Sequence, residues 1–237
     1  MTTTPGFGAL PARWRSERAR WLLERQSRPA RGSDAIVTAF RDGQVTLRTN
    51  RRIEGFTEAA IEIGYHGIRK GDLVVHSMDA FAGAVGVSDS DGKASPVVHA
   101  YRARTDYDER FASYSLRALA QSGYLAALAK GIRERSTSFD PAALANLNLP
   151  HPSLLEQRRI ADFLDFQTAN IDRLTSARRA QISALSELEL AQIGAELSGA
   201  DQSGKCRMTG WGWLESIPNH WRMALSMHTL MWTWGRC

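Results

Sequence analysis

Hydrophobic positions recur every eleven residues in the last third of this chain, at Ile160, Ile171, Ile182 and Ile193. Phe163, Leu174 and Leu185 follow the first three at an interval of three. Eleven residues make close to three α-helical turns, so both sets fall along one side of a single long helix. Ser153 and Glu156 offer an S-x-x-E capping box at its start, and Leu197-Ser198 runs into Gly199 at its end. From Ser153 to Leu197 such a helix would be about 67 Å long at about 1.5 Å per residue. An apolar stripe of that length outreaches a small domain. It predicts a coiled-coil type of pairing with another long helix through Ile160, Phe163, Ile171, Leu174, Ile182, Leu185 and Ile193.

The first 150 residues carry a different rhythm. Short alternating runs predict strands at 34–38, 45–47, 72–77, 84–88 and 96–102. Arg41-Asp42-Gly43 reads as a hairpin turn between the first two, and Asp89-Ser90-Asp91-Gly92 as another turn. Phe111, Tyr114, Ser115 and Leu119 then mark one helical face, and Tyr124, Leu125 and Leu128 a second, with Gly123 between them and Gly131 as a stop. The expected organisation is a mixed α/β domain over 1–150, a long helix over 151–198, and a linker with a tryptophan-rich stub over 199–237.

Charge alters this picture locally. The chain is +5 overall, and residues 1–31 supply that excess by themselves, with seven arginines against Glu17 and Glu24. A concentrated basic segment fits an anionic partner such as phosphate, and equally a solvated arginine-rich helix face. Two further basic clusters are candidate DNA-reading groups: Arg48, Arg51 and Arg52 after a strand, and Lys130, Arg133 and Arg135 after a helix. Arginine can fork onto guanine or phosphate, but charged surface loops share this composition. His76 and His99 lie in strand-like runs and read as core-edge residues.

Catalytic signatures are missing from the sequence. There is no G-x-x-x-x-G-K-[ST] loop, no H-E-x-x-H, and Asp140-Pro141-Ala142-Ala143 is not the D-P-P-Y of amino-methyltransferases. Cys206 and Cys237 are the only cysteines and have no metal-site spacing. No apolar run approaches the roughly 20 residues of a membrane span, and the N-terminus lacks a signal-peptide core, so a cytoplasmic location is expected. These features together predict a binding protein with no metal or cofactor of its own.

The segment Asn148-Leu149-Pro150-His151-Pro152-Ser153-Leu154-Leu155-Glu156-Gln157-Arg158-Arg159-Ile160-Ala161-Asp162-Phe163-Leu164-Asp165, continuing to Thr168-Ala169-Asn170-Ile171-Asp172, resembles the central helix of type I restriction–modification specificity (S) subunits. Arg69–Val74 and Gly86–Pro96 look like strands of their target-recognition domain. Gly212–Trp221 looks like the opening of a second one. The resemblance implies a non-catalytic subunit in which recognition domains on an antiparallel helical pair each read half of a split double-stranded DNA site. It implies a modification subunit using S-adenosylmethionine and a restriction subunit using ATP and Mg as partners. After Trp221 the expected pattern is lost, as a reading-frame shift would explain. One recognition domain and one helix are then expected, acting either as a homodimer through the helix or as a remnant that docks partners without specifying DNA.

Overall fold

The computed structural model describes residues 3–51, 63–128, 139–198, 206–212, 214–219 and 221–222. The chain divides into two compact units, Met1–Phe166 and Gln167–Cys237. Strands β1 (Thr3–Thr4) and β2 (Gly8–Ala9) form a small hairpin. Next come β3 (Arg15–Arg18), the one-turn helix α1 (Ala19–Leu22), β4 (Leu23–Gln26), and the hairpin of β5 (Val37–Ala39) and β6 (Val45–Leu47). Strands β7 (His66–Ile68), β8 (Leu73–His76), β9 (Val85–Val87), β10 (Gly92–Ala94) and β11 (Val98–Ala103) precede helices α2 (Glu109–Gln121), α3 (Tyr124–Leu128) and α4 (Pro141–Asn146). Strand β12 (Asn148–His151) leads into α5 (Leu154–Ser198), and β13 (Cys206–Trp211) and β14 (Leu214–Pro218) follow. The fold is mixed α and β with a long helix, as the sequence pattern predicts, and every ladder among these strands is antiparallel.

A four-stranded sheet in the order β4-β11-β8-β9 forms the centre of the first unit. Side chains alternate across a strand, so β8 divides its apolar residues between two faces. Leu73 and Val75 join Tyr101, Val85 and the buried side of α2, where Phe111, Leu116 and Leu119 lie. Val74 turns the other way to meet Val37, Val45, Ile68 and Ala94 from the β5–β6 and β7–β10 pairs. Burial on both faces explains why β8 is a near-continuous apolar run. It also explains Gly86 and Gly92, where a Cβ would collide with the carbonyls of Gly43 and Ala35.

The first predicted strand begins three residues later than expected and ends one later. Ile36 makes only an isolated bridge to Lys93, and the ladder begins at Val37. The predicted turn at 89–92 ends a residue early because Gly92 already opens β10. The arginine-rich segment is β3, α1 and β4 rather than one helix, with Ala19, Leu22 and Leu23 buried in the main core.

One buried charge organises the sheet. Asp72 is fully buried and accepts hydrogen bonds from Arg28 Nη1 at 2.6 Å and Nη2 at 3.3 Å, Arg102 Nε at 2.7 Å, and the Arg69 backbone N–H at 2.7 Å. These bonds tie together the segment after β4, the turn before β8, and β11. They fill much of the carboxylate's accepting capacity, which a buried carboxylate requires.

The second unit repeats a motif from the first. Leu10-Pro11-Ala12-Arg13-Trp14 corresponds to Ile217-Pro218-Asn219-His220-Trp221. Both stretches start on a buried aliphatic residue, Leu10 just after the β1–β2 hairpin and Ile217 near the end of β14, and both carry the same backbone hydrogen bond. The Trp14 N–H donates to the Pro11 carbonyl at 2.8 Å, and the Trp221 N–H to the Pro218 carbonyl at 3.0 Å. In the first unit the Trp14 ring then packs edge-on against Phe111, 6.2 Å between centroids.

Candidate nucleic-acid interface

The long helix is fastened to the rest of the first unit at its first turns. Ser153 caps it, accepting the Glu156 N–H at 3.4 Å, while the Glu156 carboxylate faces Arg13 at 3.6 Å instead of completing the box. Gln157 is fully buried. Its amide donates to the Asp106 and Pro152 carbonyls at 3.0 and 2.9 Å, and its Oε1 accepts the Asp108 N–H at 3.0 Å. Asp108 in turn caps α2 by accepting the Arg110 and Phe111 N–H groups. Two turns further along α5, Arg110 Nη1 donates to Asp162 and Asp165, both at 2.8 Å, and the Tyr114 hydroxyl donates to Asp165 at 2.6 Å. Burial opposes the charge on Arg110, but the bonds to Asp162 and Asp165 outweigh it and hold its pKa above the ordinary arginine value.

Strand β12 completes this base. It pairs with β3 from Asn148↔Arg18 to His151↔Arg15. The buried His151 ring lies 2.8 Å from Glu17 through Nδ1 and 3.2 Å from Asp106 through Nε2, with Tyr107 edge-on to it at 5.6 Å.

The basic groups predicted to meet DNA fall on both sides of the described boundary. Arg52, Lys130, Arg133 and Arg135 lie outside the described residues. Arg48 is half-buried at the start of a 3-10 turn (Arg48–Asn50), and its N–H donates to the Ile36 carbonyl at 2.8 Å. Arg51 lines an open cleft of about 510 Å³ together with Phe40, Arg41, Asp42, His76 and Asp79. Its guanidinium carbon stands 4.3 Å from the centroid of the Phe40 ring, and Nη1 donates to Asp42 at 2.6 Å. Arg41, absent from the sequence candidates, forks onto Asp79 through Nε at 3.2 Å and Nη2 at 2.7 Å. Two arginines face two aspartates here, so an incoming phosphate must displace a carboxylate to be bound. The arrangement holds both guanidinium groups beside the turn of the β5–β6 hairpin.

Several N-terminal arginines have work inside the fold. Arg13 meets Glu156, Arg20 Nη2 donates to Asn146 at 2.7 Å, Arg25 approaches His99 Nδ1 at 3.2 Å, and Arg28 binds Asp72. Arg15, Arg18 and Arg31 are exposed. His99 is buried, as its place at a core edge predicts, whereas His76 is half-buried on the cleft wall.

Burial, reinforced by the positive charge of Arg25, lowers the His99 pKa to about 4 from the usual 6.5, and His66 shifts in the same direction. Below pH 6.5 the unfolded chain therefore binds protons that the native chain refuses, and stability falls as pH drops from 6.5 towards 4. The expected contribution of His99 over that range is on the order of 2–3 kcal/mol. Urea unfolding at pH 7 and pH 4.5 measures it, and His99→Phe should flatten the pH slope. Identical slopes in both proteins would rule out this role for His99.

Along α5 the predicted pairing residues separate into two groups. Ile160 packs against the core of its own domain. Phe163, Ile171, Leu174, Ile182 and Leu185 are each 60–64% exposed, and Ile193 is 46% exposed. Leu188 and Leu190 add to the uncovered apolar surface. No described helix is long and apolar enough to cross a membrane, and no group of metal-ligating side chains occurs among the described residues.

No protein-family model and no curated protein matches the chain. Solved structures do. One is a chain from work on complex assembly and conformational transition of the type I R-M system, with a TM-score of 0.53 and 20% identity over 78% of this chain and 46% of that one. The HsdS subunit from Thermoanaerobacter tengcongensis aligns with TM-score 0.49 and 21% identity, over 74% and 42% of the two chains. The S subunit of a type I restriction–modification system from M. genitalium aligns with TM-score 0.46 and 16% identity, over 84% and 50%. The chain thus spans about half the length of these structures, and over that span its fold resembles that of the chain from the type I R-M system.

Proposed function

We propose that this chain is a non-catalytic specificity subunit of a type I restriction–modification complex. The Met1–Phe166 unit reads one half of a split site in double-stranded DNA, and α5 docks a modification subunit and pairs with a second copy of the chain. The observation that carries this reading is the coincidence of the E-Q-x-x-I-A-x-F-L-D segment with the root of a long helix on a domain of this fold. Arg48, Arg51 and Arg52, with Arg41 added from the cleft, and Lys130, Arg133 and Arg135 are the proposed DNA contacts. Ile160 has a partner in its own domain, so Phe163, Ile171, Leu174, Ile182, Leu185 and Ile193 carry the proposed helix pairing. S-adenosylmethionine, ATP and Mg belong to the modification and restriction subunits, which place the complex in the cytoplasm.

Symmetry gives the test. Two copies paired through antiparallel helices present identical readers related by a two-fold axis, and such readers see inverted repeats. Methylation sequencing of a host carrying this chain and its modification subunit should therefore reveal a split palindrome. An asymmetric target would contradict the homodimer. Absence of chain-dependent methylation, with binding to the modification subunit retained, would identify the docking-only remnant instead.

A further inference from the structure

The root of α5 is held in the core by Ile160 and Ala161 and by polar grips at two separated places, and two such grips on a rigid rod define a direction where one would leave a pivot. Gln157 is the first, buried with both amide hydrogens and its oxygen engaged. The Arg110–Tyr114 grip on Asp162 and Asp165 is the second. Eight residues separate Gln157 from Asp165, roughly 12 Å of helix. Both grips reach the same neighbour, since Asp108, which donates to Gln157, caps α2, and Arg110 and Tyr114 lie on it. We propose that Arg110 and Tyr114, acting through Asp162 and Asp165, are positioning residues that set the direction in which α5 leaves the recognition domain, and with it the number of base pairs allowed between half-sites.

Leverage makes a small contact matter. From Asp165 to Ser198 the helix runs roughly 50 Å at about 1.5 Å per residue. A 5° swing at the root moves the far end by roughly 4 Å, more than one base-pair step of about 3.4 Å. Exposed ion pairs contribute little to stability, so loosening this grip leaves the domain folded while freeing the angle. The Gln157 anchor and the packing of Ile160 and Ala161 remain in place.

The proposal rests on the specificity-subunit reading, and two readouts separate them. In the first, Arg110→Gln and Tyr114→Phe are combined in the full chain, which is then assayed with its modification subunit on a library of half-sites at varied spacing. The expected result is unchanged base preference within each half but a spacer tolerance widened by at least one base pair. The double variant Arg110→Glu with Asp165→Arg restores an ion pair and should narrow it again. In the second, spin labels at Ser33→Cys and Ala180→Cys, in a chain with Cys206→Ser and Cys237→Ser, report the distance distribution without DNA. Loss of the grip should broaden that distribution. Unchanged spacing and an unchanged distribution would overturn the proposal while leaving the functional reading intact. Absence of any half-site selection by the parent chain would overturn that reading, and the distance measurement alone would then decide whether the grip sets the angle.

Discussion

Replacing Ile171 and Ile182 together with aspartate is expected to turn a self-associating chain into a monomer at micromolar concentration. Both side chains are more than half exposed on a helix with no described cover, and Leu174 and Leu185 extend the same surface. Monomers rarely leave so much contiguous apolar area in water. In a two-fold pair each substitution counts twice, so four isoleucines leave the interface. At about 1.5 kcal/mol for each buried side chain the loss is about 6 kcal/mol, or roughly four orders of magnitude in dissociation constant. Sedimentation of both proteins decides the matter, with circular dichroism confirming that the helix survives. A parent chain that already sediments as a monomer would remove the basis for helix pairing.

The second large effect concerns Asp72. Removing its carboxylate in Asp72→Ala leaves Arg28 and Arg102 without their shared anion and leaves the Arg69 N–H without an acceptor. Breaking a buried pair from one side costs about 3–5 kcal/mol, a large share of the 5–15 kcal/mol that keeps a domain folded. Asp72→Asn keeps the shape and some of the hydrogen bonds, so it should retain part of that stability. Urea midpoints of the three proteins test the order, and an Asp72→Ala midpoint equal to the parent's would refute the assignment.

How much of this was legible in the sequence follows from how local each signal is. The long helix was, because its eleven-residue repeat and Ser153 cap are local facts, and so was the β5–β6 hairpin around Gly43. The arginine-rich segment was not. Arg13, Arg20, Arg25 and Arg28 look like one basic patch in sequence, but each finds a partner more than forty residues away, which composition cannot reveal. Gln157 was visible only as a letter in a motif. Glutamine is usually exposed, and nothing local marks this one as a buried anchor. Arg41 and Asp79 are thirty-eight residues apart, and the cleft they line exists only once the hairpin lies on the sheet.

The pairing of β3 with β12 has a consequence for how such a protein can change. Chain entry and chain exit of the domain lie side by side in one two-stranded ladder, so everything between them is a closed loop hung from a single clasp. Segments whose ends meet tolerate exchange well, because the replacement has only to reach the same two neighbouring points. The segment between β3 and β12 can therefore be exchanged as a unit, while the clasp, the buried Gln157 and the long helix stay as they are.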